Sequence, residues 1–218
     1  MRKRLAIVLV ACVGTAQAAD MSVVRYLDQD PGDPAYATRL LVTPEFLRMD
    51  GGEDDGDFVL LDRRQRQVIS VMHGNRLAMV FVPGKVPAPP PSWKARLAAQ
   101  AGTPGTQRYR LTVNGAVCSE GVAARRAAPD VARALAELKF VLAATQYRVW
   151  KDSPRDLQHD CDLANQVWES GATLKLGLPL EEREFSGKTR QFESESTAPF
   201  RPELFRVPDG YAAIDAPS

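Results

Sequence analysis

The chain has 218 residues, 44% of them hydrophobic and 25% charged, with 28 Lys+Arg against 27 Asp+Glu. Arg2, Lys3 and Arg4 are the only charged residues among the first 18, so the remainder holds 25 basic against 27 acidic residues. A chain this close to neutral carries no electrostatic footprint for nucleic acid or an anionic membrane surface, and it is long enough for one domain with a sizeable core.

Those three basic residues open a secretory leader. A ten-residue apolar run follows over residues 5–14, and Ala16-Gln17-Ala18 has the small-x-small form of a cleavage site. Export with cutting after Ala18 is therefore expected. The run is about half the ~20 residues that span a bilayer, which argues against a membrane anchor. Leu9-Val10-Ala11-Cys12 also has the form of a lipobox that would lipidate Cys12, but only seven apolar residues precede that cysteine. The downstream site is better formed. The expected location is the periplasm, with lipid anchoring through Cys12 as the alternative. Residues 19–218 are expected to form a single β-rich domain with two cysteines, Cys118 and Cys161. An even pair in an oxidising compartment predicts a Cys118–Cys161 disulfide. It would close a loop of about 40 residues and add about 3–4 kcal/mol through chain entropy.

Residues 22–28 read as a first strand and residues 29–35 as a Pro/Gly/Asp turn. Residues 36–43 and 45–49 read as one strand, interrupted or bulged at Pro44. After an acidic loop over residues 50–57, residues 58–82 form a three-strand meander. On its middle strand Val68, Ser70 and Met72 fall on one side, and Ile69, Val71 and His73 on the other. Gly74-Asn75 is a hairpin signal in which Gly supplies the positive φ. Leu77, Met79 and Phe81 share one face of the third strand, with Ala78, Val80 and Val82 on the other. Neither face is polar, whereas an antiparallel sheet usually wets one of its faces. Both faces are therefore expected to be covered.

Residues 83–105 break the pattern. Their prolines bar a central strand or a helix at first, and residues 92–100 then read as a short helix with Ser92 as N-cap. Residues 107–123 form a hairpin around Asn114-Gly115, a type I′ signal. Residues 130–151 are the strongest helix, with Val131, Leu135, Leu138, Leu142, Thr145 and Val149 in one stripe and Pro129 suited to its first turn. A second helix is expected from Ser153-Pro154 to near Gly171, carrying Leu157, Cys161, Ala164 and Trp168 on one face. Residues 173–184 and 188–196 read as a charged hairpin suited to a sheet edge. The apolar end, residues 199–211, is expected to dock back on the domain.

Chemistry-bearing motifs are scarce. His159-Asp160-Cys161-Asp162 has no second ligand pair at a recognised spacing, so His159 reads as a surface histidine and no metal site is expected. Ser186-Gly187-Lys188-Thr189 ends like a Walker A loop, but Glu182 stands where its first glycine belongs, so a hairpin turn is the better reading. The acidic stretches at residues 28–33 and 50–57 lack the spacing of a calcium loop. The run Arg63-Arg64-Gln65-Arg66 reads as a solvated hairpin connection that could meet an anionic head group. No nucleophile–base signature is present, so no catalytic residue, cofactor or enzymatic activity is expected.

Residues 58–72, with Leu61-Asp62 and Gln67-Val68-Ile69-Ser70-Val71, together with Gly177-Leu178-Pro179-Leu180, Phe185-Ser186-Gly187 and residues 204–211, resemble a family. The chain after its leader looks like the half-barrel proteins related to the periplasmic lipoprotein carriers LolA and LolB. That resemblance implies an α+β fold: a strongly curved antiparallel sheet, an incomplete barrel, packed against two or three helices. It also implies that the concave face, lidded by helices, holds acyl chains. Leu77, Met79 and Phe81 are the expected lining residues, since strand alternation groups them and Met suits adaptable apolar sites. The expected partner is a lipid or other apolar ligand bound by a monomer; the alternative is an envelope protein partner with no small ligand.

Overall fold

The computed structural model describes residues 20–216. The leader, its cleavage site and Cys12 lie outside the described residues. Six strands follow one another as antiparallel neighbours: β1 (Asp20–Gln29), β2 (Tyr36–Val42), β3 (Phe46–Asp50), β4 (Phe58–Asp62), β5 (Gln67–Met72) and β6 (Leu77–Phe81). Five more make a second antiparallel run: β7 (Ala95–Ala101), β8 (Thr106–Val113), β9 (Ala116–Ala124), β10 (Leu178–Glu184) and β11 (Thr189–Pro199). Pairing of β1 with β11 joins the runs, and β12 (Ala212–Asp215) adds in parallel to β6. The result is one open twelve-stranded mixed sheet with β12 and β7 at its two edges. Between β9 and β10 the chain leaves to form α1 (Pro129–Asp152) and the short α2 (Asp160–Leu163). The fold is thus α+β with an unclosed sheet. No helix among the described residues is long and apolar enough to cross a membrane.

Several local expectations change. Residues 36–49 are two strands, because Thr43-Pro44-Glu45 is a turn: the Thr43 hydroxyl accepts the Phe46 N–H at 2.9 Å, and the Thr43 N–H donates to the Phe46 carbonyl. In the β5–β6 connection the positive φ belongs to Arg76 (49°), at the fourth loop position, and not to Gly74. Asn114 and Gly115 do both take positive φ, as a type I′ turn needs. The expected helix over residues 92–100 is the edge strand β7, which pairs with β8 from Ala95↔Val113 to Ala101↔Gln107. Its helix-forming residues are outweighed by that ladder, a non-local interaction that propensity does not see.

The charged hairpin β10–β11 lies in the interior of the sheet order, not at an edge. Its charges are tolerated there because Lys188 and Arg190 are paired, as described below, while Glu181, Arg183, Glu193 and Glu195 stay exposed. The stretch after α1 is a broken path in place of one helix. Ser153 ends α1 with its hydroxyl donating to the Val149 carbonyl, a 3-10 turn covers Arg155–Leu157, and α2 runs on into a π turn at Ala164–Trp168.

Side chains on one face of β1–β5 pack under α1: Val24, Tyr26, Leu40, Val42, Leu47, Leu61 and Val68 meet Val131, Ala134, Leu135, Leu138 and Val141. The predicted stripe holds over the first half of α1 only; Val149 is 59% exposed. A second core on the opposite face gathers Met21, Leu41, Phe58, Leu60 and Val71 around Leu204 and Phe205. A third holds Leu111, Val113, Cys118, Cys161 and Ala164, with the predicted disulfide at its centre.

Gly121 on β9 faces a close approach of β10: a Cβ there would stand 2.0 Å from the Glu181 carbonyl oxygen. Because the obstacle is backbone, Gly121→Ala is expected to cost about 1–3 kcal/mol, as overpacking does, read as a shift of the urea midpoint with an unchanged slope.

Candidate functional site

The apolar faces of the meander β4–β6 have different covers. Beneath α1 lie Leu61, Val68 and the half-buried Phe81. The other face is closed by the chain's own C-terminal strap, residues 200–211, through Phe200, Leu204, Phe205, Val207 and Tyr211. Two polar anchors hold the strap. Arg48, with a side chain 2% exposed, donates from Nη1 to the Leu204 carbonyl at 2.9 Å. The Tyr211 hydroxyl meets His73 Nδ1 at 2.7 Å, and the two rings pack edge to face.

The helix-side face is not filled to its end. Beyond the reach of α1, a hollow of about 350 Å³ is lined by Met49, Val59, Ser70 and Met72 on one side and by Asp28, Tyr36, Lys188 and Arg190 on the other. A smaller hollow of about 190 Å³ shares Met49, Lys188 and Arg190, and adds Leu135, Leu138, Lys139, Glu182 and Glu184. Strand alternation explains the apolar side. Met49, Val59 and Ser70 are cross-strand partners in successive pairs, Met49↔Val59 and Val59↔Ser70. Three of the chain's five methionines, Met49, Met72 and Met79, fall on this face.

The charged side is tightly paired. Arg190 grips Asp28 through two bonds of 2.8 and 2.6 Å, and Thr38 donates to the same carboxylate at 2.8 Å. Burial works against the Arg190 charge, but the Asp28 carboxylate prevails and raises its pKa. Lys188 pairs with Asp30 at 3.2 Å and meets the Tyr36 hydroxyl at 3.1 Å. The Tyr109 hydroxyl donates to Glu182 at 2.5 Å; burial, then the Glu182 charge, push that phenol up. Burial and the neighbouring Glu182 charge likewise raise Glu184. These carboxylates come largely from the stretches that read as loose acidic loops: Asp28 and Asp30 from one, Asp50 and Asp54 from the other. Asp50 and Asp54 pair with Arg39, Arg48 and Arg201.

Of the lining residues expected from sequence, Leu77 and Met79 stand opposite Met72 and Ser70 in the ladder, one strand beyond the hollow. Phe81 stands opposite Val68 and packs on the core under α1. None of the three lines the hollow itself. Met49 and the charged side were missed. Met49 sits in a five-residue strand whose face only the pairing sets, and Lys188 and Arg190 reach Asp28 and Asp30 from about 160 residues away in sequence. Among the described residues no group of three or more His, Cys, Asp or Glu is placed to hold a metal ion. His159 stacks edge to face on Phe185 at 5.5 Å.

The class defined so far is an open α+β sheet with a helix on one face, a chain-terminal strap on the other, and an amphipathic hollow beside the helix. No family model matches the chain, and no curated protein matches it. Among solved structures it is similar to two crystal forms of PNGF-II. One shows 11% identity and a TM-score of 0.39 over 91% of this chain and 32% of that one. The other shows 10% identity and a TM-score of 0.35 over 91% and 31%. The chain thus spans about a third of the length of the structures it matches, and a likeness this slight carries no argument about fold or activity.

Proposed function

We propose that this protein is a non-enzymatic periplasmic protein, released from its leader after Ala18, that binds a lipid acyl chain or similar apolar ligand. The sheet would be strongly curved, an incomplete barrel of the LolA/LolB kind, with the ligand on its concave, helix-side face. The observation carrying this reading is the row Met49, Val59 and Met72, exposed to a hollow of about 350 Å³ and continued by Leu77 and Met79 on the next strand. That volume falls in the range of small-molecule sites, and methionines adapt to irregular apolar guests. The Cys118–Cys161 disulfide agrees with an oxidising compartment.

The test is native mass spectrometry of the purified protein, with titration of a fluorescent fatty acid. Binding is expected, and Met72→Asp should weaken it at least about tenfold by placing a carboxylate against the chain. A protein that carries no extracted lipid and binds no fatty acid would sink the reading. The second reading, an envelope interaction module without a small ligand, rests on β7, a seven-residue edge strand with half of its backbone ladder open. A stable partner recovered from envelope extracts, together with an empty hollow, would favour it.

A further inference from the structure

A separate hollow of about 460 Å³ lies where the β4–β5 connection meets α1, at the other end of those strands from Met72. Its floor is apolar: Leu61, Ala136, Phe140 and Val141. Phe140 is 56% exposed, an uncovered phenyl ring on a helix whose neighbouring apolar residues are buried. Its rim carries Arg63, Arg66 and Arg133 against one carboxylate, Glu137.

The three guanidinium groups differ in availability. Arg63 is fully engaged. Its Nε donates to Glu137 at 2.6 Å, and its Nη1 donates to the Thr43 carbonyl at 2.9 Å and to Asp130 at 3.2 Å. Arg133 pairs with Asp130 at 3.5 Å, between side chains that are 67% and 42% exposed. Such an exposed i,i+3 pair is readily given up. Arg66 closes the β4–β5 connection at φ 53°, and its guanidinium has no hydrogen-bond or ion-pair partner among the described residues. An apolar floor beside one unpaired and one weakly paired guanidinium group matches a ligand with an alkyl part and an anionic end. Guanidinium takes carboxylate, sulfate and phosphate oxygens alike, often two at a time.

We propose that this hollow binds an anionic amphiphile, its alkyl chain on Leu61, Phe140 and Val141 and its anionic group on Arg66 and Arg133. The inference does not rest on the methionine-lined hollow, since the two share no residue. The test uses the full secreted chain and its Met72→Asp variant. Each is titrated calorimetrically with laurate, dodecyl phosphate and dodecyltrimethylammonium below their micelle concentrations, and with inorganic phosphate. Both anionic amphiphiles should bind Met72→Asp, with the cationic one at least about tenfold weaker. Arg66→Glu/Arg133→Glu, both exposed positions, should remove that preference, and Phe140→Ser should weaken laurate about tenfold. Equal affinity for the cationic and anionic chains would overturn the proposal, as would unchanged laurate binding in the double variant. Inorganic phosphate binding as tightly as dodecyl phosphate would overturn the alkyl part. If laurate binds the double variant but not Met72→Asp, only the methionine-lined hollow binds lipid and this site fails by itself.

Discussion

Replacing Asp50 by asparagine is expected to destabilise the protein by about 3–5 kcal/mol, the scale for breaking a buried ion pair from one side. Asp50 is buried and serves two guanidinium groups. Arg39 donates to it at 2.8 and 2.9 Å, Arg48 donates at 2.6 Å, and the Gly52 N–H donates at 2.9 Å. Arg48 is the more costly to orphan. Its side chain is 2% exposed, its remaining donors go to the carbonyls of Leu204, Glu53 and Asp54, and its guanidinium lies 4.0 Å over the Phe58 ring. Asparagine preserves the volume and removes the charge, leaving that cation without a compensating anion. Since Arg48 holds the Leu204 carbonyl, the strap at residues 200–211 should loosen with it. Urea unfolding measures the loss, and hydrogen exchange in the strap locates it. A loss under 1 kcal/mol would mean that the pair contributes little beyond its own desolvation.

The same carboxyl sets a pH dependence. Burial opposes its ionisation, but the bonds from Arg39, Arg48 and Gly52 outweigh it and hold Asp50 below the usual carboxylate range. A depressed folded pKa contributes stability that is present above the unfolded value, about 3.9. That contribution is lost as pH falls through the folded value. The protein should therefore lose stability on acidification below about pH 4, and Asp50→Asn should lose less of it over that interval. Parallel acid titrations of the two proteins would contradict this.

Reducing the Cys118–Cys161 bond is the second large effect, expected to be about 3–4 kcal/mol in the chain-entropy account. The bond joins β9 to α2 across 43 positions, and α1 lies inside the closed loop. The four residues of α2 are far too few for a helix to persist on intrinsic propensity. The disulfide, with Leu111, Val113 and Ala164 around it, ties that segment to the sheet beside the bond from Asn165 Nδ2 to the Cys118 carbonyl. Unfolding of the Cys118→Ala/Cys161→Ala variant gives the comparison, with protease sensitivity at residues 153–171 as a local reading. Wild-type stability in the variant would show that packing alone holds α2.

Much of the fold was legible because its signals are local. The period-two runs of β4, β5 and β6, the Asn114-Gly115 turn, Pro129 at the start of α1 and the pair Cys118/Cys161 each depend on a few neighbouring residues. The failures share a non-local cause. β7 looked helical because its partner is β8, and the charged β10–β11 hairpin looked like an edge because Asp28 and Tyr109, which pair with Arg190 and Glu182, are far away in sequence. The three hollows were illegible for the same reason. Each needs a wall from α1 or β11 opposite a strand whose facing only the register sets.

By itself, then, the sequence determined that residues 58–81 would be a meander with two apolar faces and that two distant cysteines would meet. Side-chain alternation and cysteine parity are properties of the chain alone. What covers those faces was decided only in three dimensions. α1 closes one, the strap pinned by Arg48 closes the other, and the part of the helix-side face that α1 does not reach is left as a methionine-lined hollow, because cover depends on where the whole chain folds back and no short stretch encodes that.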